Sequence, residues 1–169
     1  MPDFNLKKAK HIHFVGIKGV GVSGLALIAK HRGFRVTGSD VEESFISDEA
    51  LKKAKIPVKK FSAQNIKGAD LIIHSVAYDE TNPEIAAAKK KKIPLFTYPQ
   101  ALGLFMQNYT GIGVTGAHGK TTTSALISYI LVRARMNPNF IVGAPIPQLG
   151  SNSRYGKSKL FVVEADDYR

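Results

Sequence analysis

GIGVTGAHGKTTTSALISYIL, residues Gly111 to Leu131, is the stretch on which the reading of this chain turns. Ile112, Val114 and Thr115 suit a buried strand. Gly116 and Gly119 then allow a tight turn whose amides can approach phosphate oxygens. Lys120 supplies a positive charge for terminal phosphates, and the Thr121 hydroxyl suits a magnesium ion. From Ser124 to Arg133 the pattern is helical, and the helix that opens here turns its positive dipole end toward the same anion. The residues point to a nucleoside triphosphate with Mg2+, held by Gly116, Gly119, Lys120, Thr121 and Thr122. The common loop of this kind has glycine where this chain has Val114, so the motif present is the shorter TGAHGKTTT.

Toward the amino terminus, HIHFVG (11–16) reads as a first strand and runs into GIKGVGVSGLALIAKHRG (16–33). Gly19, Gly21 and Gly24 have the spacing of a dinucleotide-type turn between strand and helix, where glycine permits close approach to a diphosphate. The helix carries Leu25, Leu27, Ile28 and Ala29 and stops at Gly33. A second strand, Phe34 to Gly38, ends in Ser39 and Asp40. Asp40 lies where a Rossmann-type fold places an acid on a ribose hydroxyl; a helix cap or loop aspartate is the competing reading.

Ser47 to Ala54 is expected to be a short helix, and Pro57 to Phe61 a third strand. DLIIHS (70–75) reads as a buried strand that brings His74 and Ser75 to the carboxyl edge of a sheet, where open α/β sheets bind ligands. A core histidine is the commoner reading for His74. Asn82 and Pro83 open a helix over Glu84 to Lys91. A strand at Pro94 to Thr97 and a helix from Pro99 to Met106 follow. The fold class is therefore α/β: a Rossmann-like parallel-sheet domain, residues 1–108, then the beginning of a P-loop-type ATP-binding α/β domain, residues 109–169.

In that second part Phe140 to Val142 reads as a strand, the following residues as a glycine- and serine-rich loop, and Lys159 to Val163 as a buried strand. The latter ends in EADD. An acid at a strand end beside a phosphate loop is where a magnesium ligand belongs, with Glu164 first and Asp166 second.

Composition removes several function classes. With 44% hydrophobic and 22% charged residues the chain is an ordinary globular sequence. No apolar run approaches the ~20 residues of a membrane span, and the amino terminus lacks a signal-peptide core, which points to the cytoplasm. There is no cysteine, and the five histidines show no ligand spacing, which excludes disulfides and argues against zinc. The net charge of +11 is carried by lysines scattered over LKKAK and AAAKKKK without interleaved aromatics, so a solvated surface is expected rather than nucleic-acid binding. Lys89 to Lys92 is the one patch suited to an anionic partner.

Taken together, GIKGVGVSGLA, TGSD, HSVAYDETNPEI, TGAHGKTTT and FVVEADD resemble the Mur ligases, over His11 to Tyr168. Their order is most similar to the members that join L-alanine to UDP-N-acetylmuramate in peptidoglycan precursor synthesis, through an acyl-phosphate made with ATP and magnesium. The resemblance implies that the Gly19 to Gly24 turn, with Lys18, cradles the UDP diphosphate and that Ser39, Asp40 and Ser75 lie near the nucleotide. It implies catalytic roles for Lys120, Glu164 and His118: Lys120 on the ATP phosphates, Thr121 and Glu164 on Mg2+, and His118 near the reacting carboxylate. The family turn usually has glycine where this chain has Lys18 and threonine where it has Ala117, and usually continues EADE where this chain has EADD.

Only about sixty residues of the second domain are present, so the isolated chain is expected to bind UDP-sugar without turnover. A muropeptide-recycling ligase acting on the same UDP-sugar shares much of the pattern. A regulatory or oxidoreductase Rossmann domain would account for Asp40 but leaves TGAHGKTTT and EADD unexplained.

Overall fold

The structure, a computed structural model, describes residues 4–165. The backbone divides into two compact units, Met1–Phe105 and Met106–Arg169, where sequence reasoning places the division at Asn108.

In the first unit β1 (His11–Val15), β2 (Arg35–Ser39), β3 (Val58–Lys59), β4 (Leu71–His74) and β5 (Leu95–Thr97) form one sheet. Its order is β3-β2-β1-β4-β5 and every neighbouring pair is parallel. The strand order reverses between β1 and β4, which creates a crevice at the carboxyl ends of those strands. Helices α1 (Val20–His31), α2 (Asp48–Lys53) and α3 (Pro83–Lys90) lie on the β1–β2, β2–β3 and β4–β5 connections, and α4 (Tyr98–Met106) follows β5. All five residues of β1 and Leu71, Ile72 and Ile73 of β4 are buried, because a central parallel strand has both faces covered. β3 is shorter than the expected Pro57 to Phe61. It lies at the sheet edge, where Lys59 and Lys60 are exposed and no second neighbour continues the ladder.

A polar seam crosses this otherwise apolar sheet. Nδ1 of His11 lies 2.9 Å from the Gly68 carbonyl, and Nε2 lies 2.8 Å from the Thr37 hydroxyl. A carbonyl only accepts, so His11 donates from Nδ1 and takes the Thr37 proton at Nε2. Nδ1 of His13 then donates to Thr37 at 2.8 Å, and its Nε2 faces Glu84 at 3.2 Å. Glu84, fully buried in the first turn of α3, also accepts from the Ser39 hydroxyl, the Ser62 amide and the Asn65 side chain. The seam ties α3 to β1 and β2 with its polar groups satisfied, the condition on which such burial is tolerated.

In the second unit β6 (Thr110–Val114), β7 (Asn139–Ile146), β8 (Ser151–Arg154) and β9 (Leu160–Glu164) form a sheet in the order β6-β9-β7-β8. The first two pairs are parallel and β7–β8 is antiparallel. Helix α5 (Lys120–Arg133) covers Phe140, Val142, Ile146 and Val162 through Ala125, Tyr129 and Val132. Burying a phenylalanine such as Phe140 contributes about 1.5–3 kcal/mol. The serine-rich segment expected to be loop is instead β8. An edge strand pairs on one side only and needs few apolar residues, so SNSR lacks the hydrophobic pattern by which a strand is recognised.

Candidate functional site

The phosphate loop of the second unit connects β6 to α5. Gly116 has φ +140° and Gly119, the residue that caps α5, has φ +75°, both in the region that side chains disfavour. No side chain caps α5, so its opening turn has no built-in acceptor. Lys120 curls back over the loop, its ammonium 3.0 Å from the Gly116 carbonyl. His118 is exposed on the same loop, and Thr122 is exposed in the first turn of α5.

The strand-end acid meets this loop. The Thr121 hydroxyl donates to Oε1 of Glu164 at 2.7 Å, and the Gly143 amide donates to Oε2 at 2.7 Å. One hydroxyl and one carboxylate at the mouth of a phosphate loop fit Mg2+, which keeps several waters and takes only one or two protein oxygens besides phosphate. Among the described residues no group of three or more His, Cys, Asp or Glu could hold a metal. Asp166, the second expected ligand, lies outside the described residues.

The carboxyl edge of the first unit's sheet is built around the β1–α1 turn. Its left-handed residue is Gly16, at φ +75°, which stands three positions before Gly19, the first of the glycines singled out from the spacing. The amides of Gly16 and Ile17 donate to the Ser39 carbonyl at 2.9 and 3.1 Å. Gly19 caps α1 with no side-chain bond, and Gly24 is buried within the helix. Gly21 leaves room for a side chain of its own unit: a Cβ there would lie 2.7 Å from the Tyr98 ring.

Three expected nucleotide contacts are placed differently from the expectation. Lys18 is 8% exposed and its ammonium donates to the Glu43 carbonyl at 2.7 Å, beside Asp48 at 3.5 Å, so it turns away from the helix mouth. Its backbone is not left-handed, so no strain attends the lysine. Asp40, 5% exposed, accepts the Lys18 amide at 2.6 Å on Oδ2, and the Val41 amide at 2.8 Å and Tyr78 hydroxyl at 3.1 Å on Oδ1. It is a loop-bracing carboxylate, the competing reading of that residue. Ser39 is fully buried with its hydroxyl on Glu84, so its side chain serves the seam. Ser75 remains half-buried at the end of β4, accepting the Ala77 amide at 3.3 Å. His74, also half-buried, bonds the Ser75 carbonyl at 3.0 Å. Of the four-lysine run, Lys89 pairs with Glu80.

Comparison with known proteins decides the family. Residues 11–110 match the Mur ligase family, catalytic domain. The chain belongs to the Mur ligase family. Among its relatives, the UDP-N-acetylmuramate–L-alanine ligase of Desulfitobacterium hafniense is 46% identical over 160 residues, 94% of this chain and 36% of that protein. The enzyme of the same name from Caldanaerobacter subterraneus is 43% identical over 168 residues, 98% of this chain and 36% of that protein. The crystal structure of the UDP-N-acetylmuramate–alanine ligase from Thermotoga maritima matches with TM-score 0.83 at 31% identity, over 92% of this chain and 37% of that one. The UDP-N-acetylmuramate:L-alanyl-γ-D-glutamyl-meso-diaminopimelate ligase from Neisseria meningitides matches with TM-score 0.86 at 30% identity, over 94% and 53%. This Mur ligase chain thus spans about a third of the length of the curated relatives it matches.

Sequence reasoning missed three features of this Mur ligase chain. The Gly143 amide on Glu164 carried no signal, since glycine followed by Ala-Pro reads as loop. Tyr78 on Asp40 joins residues whose motifs are far apart in the chain. Gly16 was legible as the last residue of HIHFVG, in the position where the first glycine of such a turn makes the bend.

Proposed function

We propose that the chain is the nucleotide-binding part of an ATP-dependent ligase that joins L-alanine to UDP-N-acetylmuramate in the cytoplasm. The first unit takes the UDP-sugar and the second takes ATP with magnesium. The Thr121–Glu164 pair beside Lys120 is the observation that carries this reading, because it places a magnesium-type oxygen pair at a phosphate loop. The names of the curated relatives support the substrates. Consistently, no helix among the described residues is long and apolar enough to cross a membrane.

In this reading the α1 mouth at Gly19 and Gly21 receives the diphosphate, Gly24 lets the helix pack closely on the sheet, and Ser75 lies beside the nucleotide. Asp40 holds the turn in shape. The loop amides around Gly116 and Gly119, with Thr122, receive the triphosphate. The carboxylate of the sugar attacks the γ-phosphorus, ADP leaves, and the amine of L-alanine attacks the acyl carbon and releases phosphate. Carboxylate and triphosphate repel each other, so Lys120 neutralises charge that grows as they approach, with His118 on the same exposed loop. Magnesium, held by Thr121 and Glu164, would supply further neutralisation of the phosphates.

A recycling ligase that adds a tripeptide is the second reading, favoured by the likeness to the Neisseria enzyme. Calorimetric melting of the chain tests the UDP-sugar assignment. A ligand at a hundredfold its Kd stabilises by about 2.7 kcal/mol, which moves a unit of this size by on the order of 10 °C. UDP-N-acetylmuramate should do so and NADH should not; no shift with the UDP-sugar would refute the assignment.

A further inference from the structure

We propose that Lys18 is a positioning residue, which holds the β2–α2 loop (residues 41–47) as one wall of the cavity at the carboxyl edge of the first sheet and so strengthens binding of the nucleoside half of the ligand. The inference rests on the reading of the first unit as the UDP-sugar site.

Each polar group of Lys18 is spent on the segment that starts at Asp40 and ends at Asp48. Its amide donates to Asp40 at 2.6 Å, and its carbonyl accepts the Ser47 hydroxyl at 2.6 Å. Its ammonium donates to the Glu43 carbonyl at 2.7 Å, lies 3.5 Å from Oδ1 of Asp48 and sits 5.6 Å from the centre of the Phe45 ring. An ammonium has three N–H groups, and a carbonyl, a carboxylate and an aromatic face occupy its surroundings. The loop's other bonds are local, the Val41 amide to Asp40 and the Phe45 amide to Asp48 at 2.8 and 2.9 Å. Residues 42–46 are exposed, and the ion pair between Lys60 and Glu42 is three-quarters exposed on both sides, where such pairs contribute little.

The start of the loop, Val41 and Glu42, borders a cavity of about 370 Å³ lined also by Lys18, Asp40, Asp48 and Lys59. That volume falls within the range of small-molecule sites, roughly 300–1,000 Å³. It opens beyond the end of β2, where a Rossmann-type sheet places the nucleoside rather than the diphosphate. Freeing residues 41–47 would therefore let one wall of this cavity move, and binding would have to order it again.

The test is Lys18→Met, which keeps the apolar stem and both main-chain bonds but removes the ammonium, with Lys18→Arg as the rescuing variant. Hydrogen exchange of the amides of residues 42–47 is measured without ligand, and the Kd for UDP-N-acetylmuramate and for UMP at two salt concentrations. Lys18→Met should speed exchange across 42–47 about tenfold and weaken both ligands by a similar factor, with the salt dependence of the parent; Lys18→Arg should recover most of both. Unchanged exchange in 42–47 overturns the proposal. So does a loss confined to the diphosphate ligand with a reduced salt dependence, which would make Lys18 a direct anion contact. A parent chain that binds neither ligand refutes the UDP-sugar assignment itself, and does so before any variant is compared.

Discussion

Oε1 of Glu164, at the end of β9, accepts the hydroxyl of Thr121, in the first turn of α5, at 2.7 Å. The other carboxylate oxygen is held by the Gly143 amide, so β7 fixes the orientation of the acid relative to the phosphate loop. A Cβ on residue 143 would lie 2.5 Å from Oε2 of Glu164 and 2.9 Å from the Thr121 hydroxyl. Gly143→Ala must therefore displace one of them. We expect a loss of about 1–3 kcal/mol in stability from overpacking and a weakened magnesium dependence of ATP binding. Calorimetric titration of ATP with and without magnesium measures the second effect; a variant with the parent's magnesium dependence would show that the close contact is irrelevant to the site.

Lys120→Ala should weaken triphosphate binding and leave UDP-N-acetylmuramate binding nearly unchanged. The ammonium rests 3.0 Å from the Gly116 carbonyl, on the loop proposed to receive the triphosphate. The two glycine turns lie in separate compact units, and substitutions that share no partner act almost independently. Parallel titrations with each nucleotide decide it: equal losses for both would contradict the assignment of one ligand to each unit.

Acid should destabilise the first unit in two stages. Burial, aided by Arg35 and His13, holds the His11 pKa below its ordinary 6.5, against the opposing effects of its bond to Gly68 and of Asp70. A lowered folded pKa means that the unfolded chain takes the proton first, so this contribution is complete above about pH 6.5 and is lost as the pH falls below it. For Glu84 burial pulls upward, yet the bonds from His13, Ser39, Ser62 and Asn65 together hold its pKa below 4.5. Its contribution is lost lower, as the pH falls below about 4.5. Urea midpoints at pH 7.5, 5.5 and 4 should fall in order, and His11→Gln should flatten the first step; equal midpoints at 7.5 and 5.5 would exclude the role given to His11.

Tyr78 should ionise well above the ordinary tyrosine value of 10.0. Burial, then the Asp40 carboxylate, raise its pKa to about 12. Because the folded value is raised, the stabilisation is complete below the ordinary value of 10.0 and is lost as the pH climbs toward 12. Absorbance titration of Tyr78→Phe should lose a component that titrates near pH 12 in the parent, and an unchanged curve would refute the assignment.

Gly16→Ala should damage the same corner more severely. The position has φ +75°, and a Cβ would approach the Tyr78 ring at 2.6 Å and the Ser75 Cβ at 2.9 Å. The left-handed backbone costs about 1–2 kcal/mol and the overlap about 1–3 more. A fall of the urea midpoint larger than that of Tyr78→Phe is expected; a smaller one would mean that the turn relaxes freely.

The α/β class, the strand–helix alternation and a glycine turn in each unit are all readable from residue order alone. Those features are local: a period of apolar residues, an Asn-Pro helix start or a glycine turn acts over a few neighbours and is legible in their order. Where the side chains beside those turns go depends instead on long-range packing. Lys18 follows a glycine-bounded turn and reads as an anion contact, yet the β2–α2 loop offers its ammonium a carbonyl and a carboxylate, and it is buried there. Asp40 reads as a ribose ligand, yet Tyr78, brought over by the β1–β4 pairing, and the Lys18 amide occupy it. Glu164 receives an amide from Gly143, a residue that no motif marks. β8 forms from polar residues because β7 presents it an open edge. In each case the deciding partner is distant in sequence, and only the packing of strands and helices sets which distant groups come within hydrogen-bonding reach.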